Sequence, residues 1–286
     1  MLKYIFVFFQ YIIPQKFLSR AVAIFANAES PLIRLPFIKL FIKIFKVDMS
    51  EAIQANASHY PSFNAFFTRE IKPELRPLCT ETDAIASPAD GTISQIGDID
   101  YGNLFQAKGK EFSLTELLGG DEYLSQSFVG GKFATIYLSP KDYHRVHMPY
   151  DGQLQKMVHV PGQLFSVNNT TAELVPRLFA RNERVVTIFD TNTGPMAVVL
   201  VGAMIVASIE TVWAGQITPI RYEVRTTDYP NTTSEVSLAK GEEMGRFKLG
   251  STAIVLFGPD SVEWNDHLEN GTKVKMGENL GKLINA

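Results

Sequence analysis

The chain has 286 residues, 45% of them hydrophobic and 20% charged, with a net charge of −3. That much apolar mass builds a core for one large domain or two ordinary ones and excludes a disordered chain. The single cysteine, Cys79, excludes an intrachain disulfide, and with no small-residue secretory cleavage site the chain is expected in a reducing compartment.

Charge is unevenly spread along the chain. Residues 1–47 carry Lys3, Lys16, Arg20, Arg34, Lys39, Lys43 and Lys46 against Glu29 alone, whereas the remainder holds 20 basic and 29 acidic residues. A cationic end on an acidic body suits an anionic lipid surface, and nucleic acid is not expected as a partner.

The first apolar run, Tyr4 to Ile13, is interrupted by Gln10 and stopped by Pro14. It is shorter than the roughly 20 residues a bilayer span needs. In the second run Lys39, Lys43 and Lys46 recur at i, i+4 and i+7, one stripe of a helix, while Phe37, Leu40, Phe41, Ile44 and Phe45 crowd the rest. This predicts a basic amphipathic helix lying in the membrane interface, with Phe37 and Phe41 among acyl chains and the lysines at the headgroups. The alternative is a helix packed on the protein's own core. Residues 1–60 thus read as a membrane-associating helical region and 61–286 as a second, β-rich unit.

From about residue 80 the texture changes to short β-type runs broken by Gly, Pro, Asn and Asp. They include Phe133 to Leu138, Val185 to Phe189, Met196 to Ala207, Ile217 to Val224 and Ala253 to Phe257. Thr171 to Ala180 is the clearest helical stretch among them. Strands this dense, without long intervening helices, predict an α+β protein: N-terminal amphipathic helices, then a mainly antiparallel β-sandwich or barrel. Two internal echoes support one β architecture. Pro88-Ala89-Asp90-Gly91 matches Pro149-Tyr150-Asp151-Gly152, and Lys240-Gly241-Glu242 onward matches Lys275-Met276-Gly277-Glu278 onward with a one-residue offset at the lysine. Such turns resemble the hammerhead turns of biotinyl and lipoyl carrier domains.

His144 and His147 lie in a loop-like passage, Ser139 to Pro149, where proton transfer is favoured over a structural pair and a structural pair over a metal site. No metal is expected. Asp90 read alone is an Asp-Gly turn residue, with Asp151 as its structural counterpart. Ser251, in Leu249-Gly250-Ser251-Thr252, reads either as a turn residue at the mouth of a strand or as an activated nucleophile. The segment lacks the flanking glycines of a hydrolase nucleophile elbow.

Taken together, Leu249-Gly250-Ser251-Thr252, Ser87-Pro88-Ala89-Asp90-Gly91 and Tyr143-His144-Arg145-Val146-His147-Met148-Pro149 resemble the phosphatidylserine decarboxylase family. Segments 63–69, 162–168, 179–184 and 208–215 agree; Ala207, where the family's Gly is expected, and Asn169, where Pro or His is common, depart. The resemblance implies a self-cleaving enzyme converting phosphatidylserine to phosphatidylethanolamine and CO2. Asp90, His147 and Ser251 would form the self-cleavage triad, cutting between Gly250 and Ser251 into a β chain, 1–250, and an α chain, 251–286. Ser251 would become a pyruvoyl group that forms a Schiff base with the substrate, and His144 would assist decarboxylation or protonation. Phe165, Ser166 and Asn168 are expected substrate contacts. A homodimer and peripheral attachment to the cytoplasmic side of the cell membrane are family expectations. A lipid-attached carrier module would leave the two histidines unexplained, and a pyruvoyl enzyme for soluble amino acids would leave the apolar basic N-terminus unexplained.

Overall fold

The computed structural model describes residues 1–204, 208–218, 223–230, 235–248 and 251–284, with Ser251 described by its backbone alone. Pro14 and Pro31 punctuate the N-terminal region into helices α1 (Leu2–Ile12), α2 (Gln15–Ala26) and α3 (Pro31–Phe45). Proline lacks an amide hydrogen, so it stops one helix and is tolerated in the first turn of the next. Among the described residues no single helix is long and apolar enough to cross a membrane, and α2 and α3 are bent by 112° to each other.

The predicted orientation of α3 needs correction. The short helix α4 (Phe63–Phe67), capped by the Ser62 side chain, supplies three large aromatic rings that are fully buried. Phe37 stacks on Phe63 with centroids 4.3 Å apart, and Phe41 packs edge-on against Phe63, Phe66 and Phe67. Phe37 and Phe41 therefore face the protein's own aromatic core, because these rings offset one another's exposed area better than solvent does. What α3 turns outward is Leu32, Ile33, Leu40, Ile44 and Phe45, together with Lys39 and Lys43. Lys46 lies beyond the helix, as its cap in the left-handed conformation (φ 54°).

The β core uses strands β1 (Gly91–Asp98), β2 (Lys132–Leu138), β3 (Arg145–His147), β4 (Gly152–Val160), β5 (Arg184–Thr191), β6 (Gly194–Gly202), β7 (Ser208–Thr211), β8 (Glu243–Lys248) and β9 (Ser251–Phe257). A nine-stranded antiparallel sheet runs from Arg225–Asp228 through β4, β5, β6, β9, β2 and β1 to Lys273–Val274, with Ser237–Leu238 beside β4. A second sheet orders Gly215–Gln216, β7, β8 and β3, and a third joins Ala84–Ala86, Asn279–Leu283 and Val262–Trp264. The α+β class and antiparallel core match expectation, and the sheets stay open rather than closing into a barrel. Both faces of the large sheet are buried. Along β9, Ile254 and Leu256 join one cluster with Val199, Val201 and Val186, while Ala253, Val255 and Phe257 join another with Val146, Ile209, Met244 and Phe247 of the second sheet. Double-sided burial is why β6 and β9 read as unbroken apolar runs rather than alternating ones.

Two expected elements differ. The described part of the Ile217–Val224 run is not strand; strands flank it at Gly215–Gln216 and Arg225–Asp228. The Thr171–Ala180 helix is split into Asn169–Leu174 and Leu178–Arg181, because Pro176 cannot continue the first and Arg177 takes a left-handed conformation.

The internal echoes are true structural equivalents. Ser87 donates its N–H to the Glu278 carbonyl and accepts from the Gly277 N–H; Met148 does the same with Glu242 and Gly241. His147 N–H bonds the Pro88 carbonyl, and Ala86 N–H bonds the Pro149 carbonyl. Asp90 accepts from Met276 N–H at 2.9 Å, and Asp151 accepts from Lys240 N–H at 2.6 Å. Gly277 (φ +89°) must be glycine, since a Cβ there would lie 2.7 Å from the Pro77 carbonyl oxygen. Gly194 (φ +114°) has open space around it. Gly277→Ala should therefore lower the melting temperature well beyond Gly194→Ala, which pays only the left-handed penalty of about 1–2 kcal/mol. Equal shifts in thermal melts of the two variants would contradict the tight packing of this turn.

Candidate active site

Three times the chain leaves one sheet and enters the other at the same edge. β2 ends at Leu138 and β3 starts at Arg145; β6 ends at Gly202 and β7 starts at Ser208; β8 ends at Lys248 and β9 starts at Ser251. β8 pairs with β3 and β7, and β9 pairs with β2 and β6, so the two strands that flank residues 249–250 each lie between strands joined by the other two passages. Leu249, Gly250 and Ala207 lie outside the described residues. The backbone of Ser251 is fixed in register opposite Leu138 on one side and Gly202 on the other.

His144 sits in the β2–β3 passage, six residues beyond the partner of Ser251. Its Nε2–H donates to the Ser139 carbonyl at 3.0 Å, since a carbonyl can only accept. That leaves Nδ1 as the lone-pair nitrogen, buried and without a partner among the described residues. The ring stacks on Phe67 at 4.0 Å. Burial, reinforced by the nearby Arg69 charge, pushes its pKa down to about 3, so the imidazole is neutral.

His147 is held differently. Its Nδ1–H donates to the Gly241 carbonyl at 2.8 Å, and its Nε2 accepts from the Tyr143 hydroxyl at 3.0 Å. Burial lowers its pKa from the usual value, against the raising influence of the Gly241 bond and of Glu243. A neutral imidazole with its lone pair on Nε2 is competent as a base near neutrality.

Asp90 does not bond His147, which corrects the expectation that it orients the base. Arg76 donates Nε–H to Asp90 Oδ1 at 2.7 Å and Nη2–H to Oδ2, a two-pronged pair completed by Met276 N–H. A buried carboxylate gains more from a guanidinium fork than from a neutral ring. Burial works against the Arg76 charge, but bonds to Asp90 and to Glu51 (2.8 Å) outweigh it and hold its pKa above the ordinary value. The orientation of His147 comes instead from Gly241, within the second of the paired turns.

A pocket of about 370 Å³ opens beside these groups, lined by Asp90, Tyr143 and Ser139, with Lys46, Arg69, Arg76, Lys141, Lys273 and Lys275 facing Asp48, Glu51, Asp142 and Glu278. Of the expected substrate contacts, Phe165 is buried against Tyr11 (4.8 Å), Ser166 gives its N–H and hydroxyl to Gln10 Oε1, and Asn168 caps the helix at Asn169–Leu174. Their side chains serve the packing of α1 onto loop 163–168. They are not in the pocket lining, yet they connect to Ser251: Asn182 Nδ2 bridges the Phe165 and Gly202 carbonyls at 2.8 and 2.9 Å. Arg76, Tyr143 and Asn182 were not singled out from sequence. Tyr143 and Asn182 lie inside the segments that carried the resemblance, whereas Arg76 offers no sequence signal.

A pyruvoyl group at position 251 requires a fixed terminus and nearby unpaired polar atoms. β9 is hydrogen-bonded on both edges, and among the described residues the Thr252 hydroxyl and His144 Nδ1 are buried without partners, so the residues fit such a group. If His147 is the base, the rate of chain cleavage should fall only as pH drops through its lowered pKa, giving an acid midpoint below 6.5. Cleavage time courses across pH on denaturing gels check this, and a midpoint above 6.5 would exclude His147 in this environment.

A family model described as phosphatidylserine decarboxylase matches residues 63–282, and one described as PSD matches residues 5–46. A Pseudomonas fluorescens protein named phosphatidylserine decarboxylase proenzyme is 57% identical over 98% of both chains. A protein of the same name from Ectopseudomonas mendocina is 58% identical over 97% of both, and one from Pseudomonas putida 56% identical over 99% of both. The chain belongs to the phosphatidylserine decarboxylase family.

Proposed function

We propose that this chain is a proenzyme that cuts itself between Gly250 and Ser251 and then decarboxylates phosphatidylserine to phosphatidylethanolamine and CO2. The observation supporting this reading is that Ser251 is the first residue of the central strand β9, in register with Leu138 and Gly202, in a chain whose close relatives are named proenzymes. His147 serves as base, and the Ser251 oxygen attacks the Gly250 carbonyl carbon, giving an ester and a free amine. Elimination across the Cα–Cβ bond of Ser251 releases residues 1–250 as a carboxylate. The dehydroalanine left on residue 251 adds water and loses ammonia to become a pyruvoyl group. That group supplies an electron sink for loss of CO2.

The protein's own residues do the rest. His144, neutral and with Nδ1 unpartnered among the described residues, takes the proton that the substrate ammonium must shed and returns one to the substrate carbon. Its burial, with one ring face stacked on Phe67, holds the imidazole in place. The pocket's mixture of lysines, arginines and carboxylates suits a headgroup bearing phosphate, carboxylate and ammonium together.

Residues 1–60 form the membrane-associating part and 61–286 the catalytic part, with peripheral attachment. Its support is the exposed apolar surface of Leu2, Tyr4, Ile5, Phe8, Phe9 and Ile12 on α1 and of Leu32, Leu40, Ile44 and Phe45 on α3, beside Lys39 and Lys43.

Intact-mass spectrometry should find fragments 1–250 and 251–286, the latter consistent with a pyruvoyl end, whereas Ser251→Ala should stay whole and inactive. An active preparation of uncut chain would sink the proposal. Changing Lys39 and Lys43 together to Gln should cost about 2 kcal/mol of attraction to phosphatidylserine liposomes at low salt, at roughly 1 kcal/mol per lysine. Cleavage should be unchanged. Flotation of the double variant as tight as the parent's would remove the electrostatic part of the attachment.

A further inference from the structure

In the self-cleavage proposed above, His147 must take a proton from Ser251, yet its only lone pair is already engaged. The Gly241 backbone oxygen cannot donate, so the 2.8 Å contact fixes the proton on Nδ1 and the lone pair on Nε2. That lone pair accepts the Tyr143 hydroxyl at 3.0 Å. Tyr143 is buried, its ring lies 5.6 Å from the imidazole, and it lines the same pocket as Asp90. It directly precedes His144 in the β2–β3 passage; Phe247 N–H, near the end of β8, donates to the His144 carbonyl at 3.0 Å, and Leu138, where that passage begins, is the register partner of Ser251. The charged groups around the pair are Arg145, Glu243, Glu70 and Asp90, none of which bonds the Tyr143 hydroxyl.

We propose that Tyr143 is a proton relay for self-cleavage, its oxygen receiving the Ser251 hydroxyl proton while its own proton passes to Nε2 of His147. The step balances. The Ser251 oxygen forms a bond to the Gly250 carbonyl carbon, the imidazolium stores the proton, and Tyr143 hands it back to the Ser251 amide nitrogen as the C–N bond breaks. No oxidant, metal or co-reactant takes part. The inference rests on the reading of His147 as base, and its test separates the two.

Full-length parent, Tyr143→Phe, His147→Ala and Ser251→Ala chains are made by cell-free synthesis with a labelled pulse, and cleavage is followed on gels across pH. The relay predicts that Tyr143→Phe cleaves about 100-fold or more slowly, in the range for loss of a positioned proton-transfer group. Its acid limb should also move to higher pH, because the lost hydroxyl had stabilised the neutral imidazole. A structural role alone would not combine these two changes. Cleavage within threefold of the parent overturns the relay, while His147→Ala cleaving at the parent rate would overturn the base reading itself. Should Tyr143→Phe fail to fold, rates of the parent in H2O–D2O mixtures decide: two protons in flight give a curved dependence on deuterium fraction, and a linear one overturns the relay.

Discussion

The constraint on which the rest of the molecule depends is the double-edged hydrogen bonding of β9. Ser251 begins a central strand held from its first residue by β2 and β6, while β8, three residues earlier, is held by β3 and β7 of another sheet. Both ends of the intervening peptide are anchored in rigid ladders with both faces of β9 buried. An intramolecular attack gains its advantage from such anchoring, which limits the orientations the reacting atoms can sample. In the proposed cleavage the same ladders would keep residues 251–284 in place. Pairing of β9 with β2 and β6, of Asn279–Leu283 with Ala84–Ala86, and of Lys273–Val274 with β1 all join residues on either side of the Gly250–Ser251 bond.

The paired Asp-Gly turns show how a structural device acquires a second duty. Asp90 and Asp151 each fix a backbone N–H of the partner turn, so one oxygen of each is architectural. They diverge at the other oxygen, where only Asp90 meets Arg76 and, through it, Glu51 from the segment after α3. His147 stands where the other half has Ala86. The asymmetry that matters for chemistry is thus confined to a few side chains placed on a symmetric backbone.

Much of this was legible in the sequence. The β runs at Phe133–Leu138 and Ala253–Phe257 became β2 and β9, and the Asp-Gly echo identified a real duplication. Local signals failed where a distant partner decides the outcome. Phe37 and Phe41 have the spacing of a membrane-facing helix, and only the burial of Phe63, Phe66 and Phe67 shows that they turn inward. Arg76, Gly241 and Tyr143 take the bonds that a serine–histidine–aspartate analogy assigns to the mutual contact of Asp90 and His147. Side-chain partners separated by 14 and 94 residues leave no periodic trace for sequence reasoning to find.

The N-terminal helices are tied to the β core by specific polar contacts. Gln10 of α1 and Gln15 of α2 both use their side-chain oxygens to accept backbone N–H groups from loop 163–168. A side-chain oxygen taken from water is costly unless it is bonded, so these contacts help to fix where α1 and α2 sit. From the loop, Asn182 carries the contact onward, bonding both polar groups of the Phe165 backbone and the carbonyl of Gly202, the register partner of Ser251. The helices α1 and α2 are therefore linked, through part-buried bonds to loop 163–168 and the buried bonds of Asn182, to Gly202, the register partner of the first residue of β9. In the proposed membrane attachment, a helix pair joined this way would hold β9 at a fixed height from the lipid surface, which a flexible tether would not do.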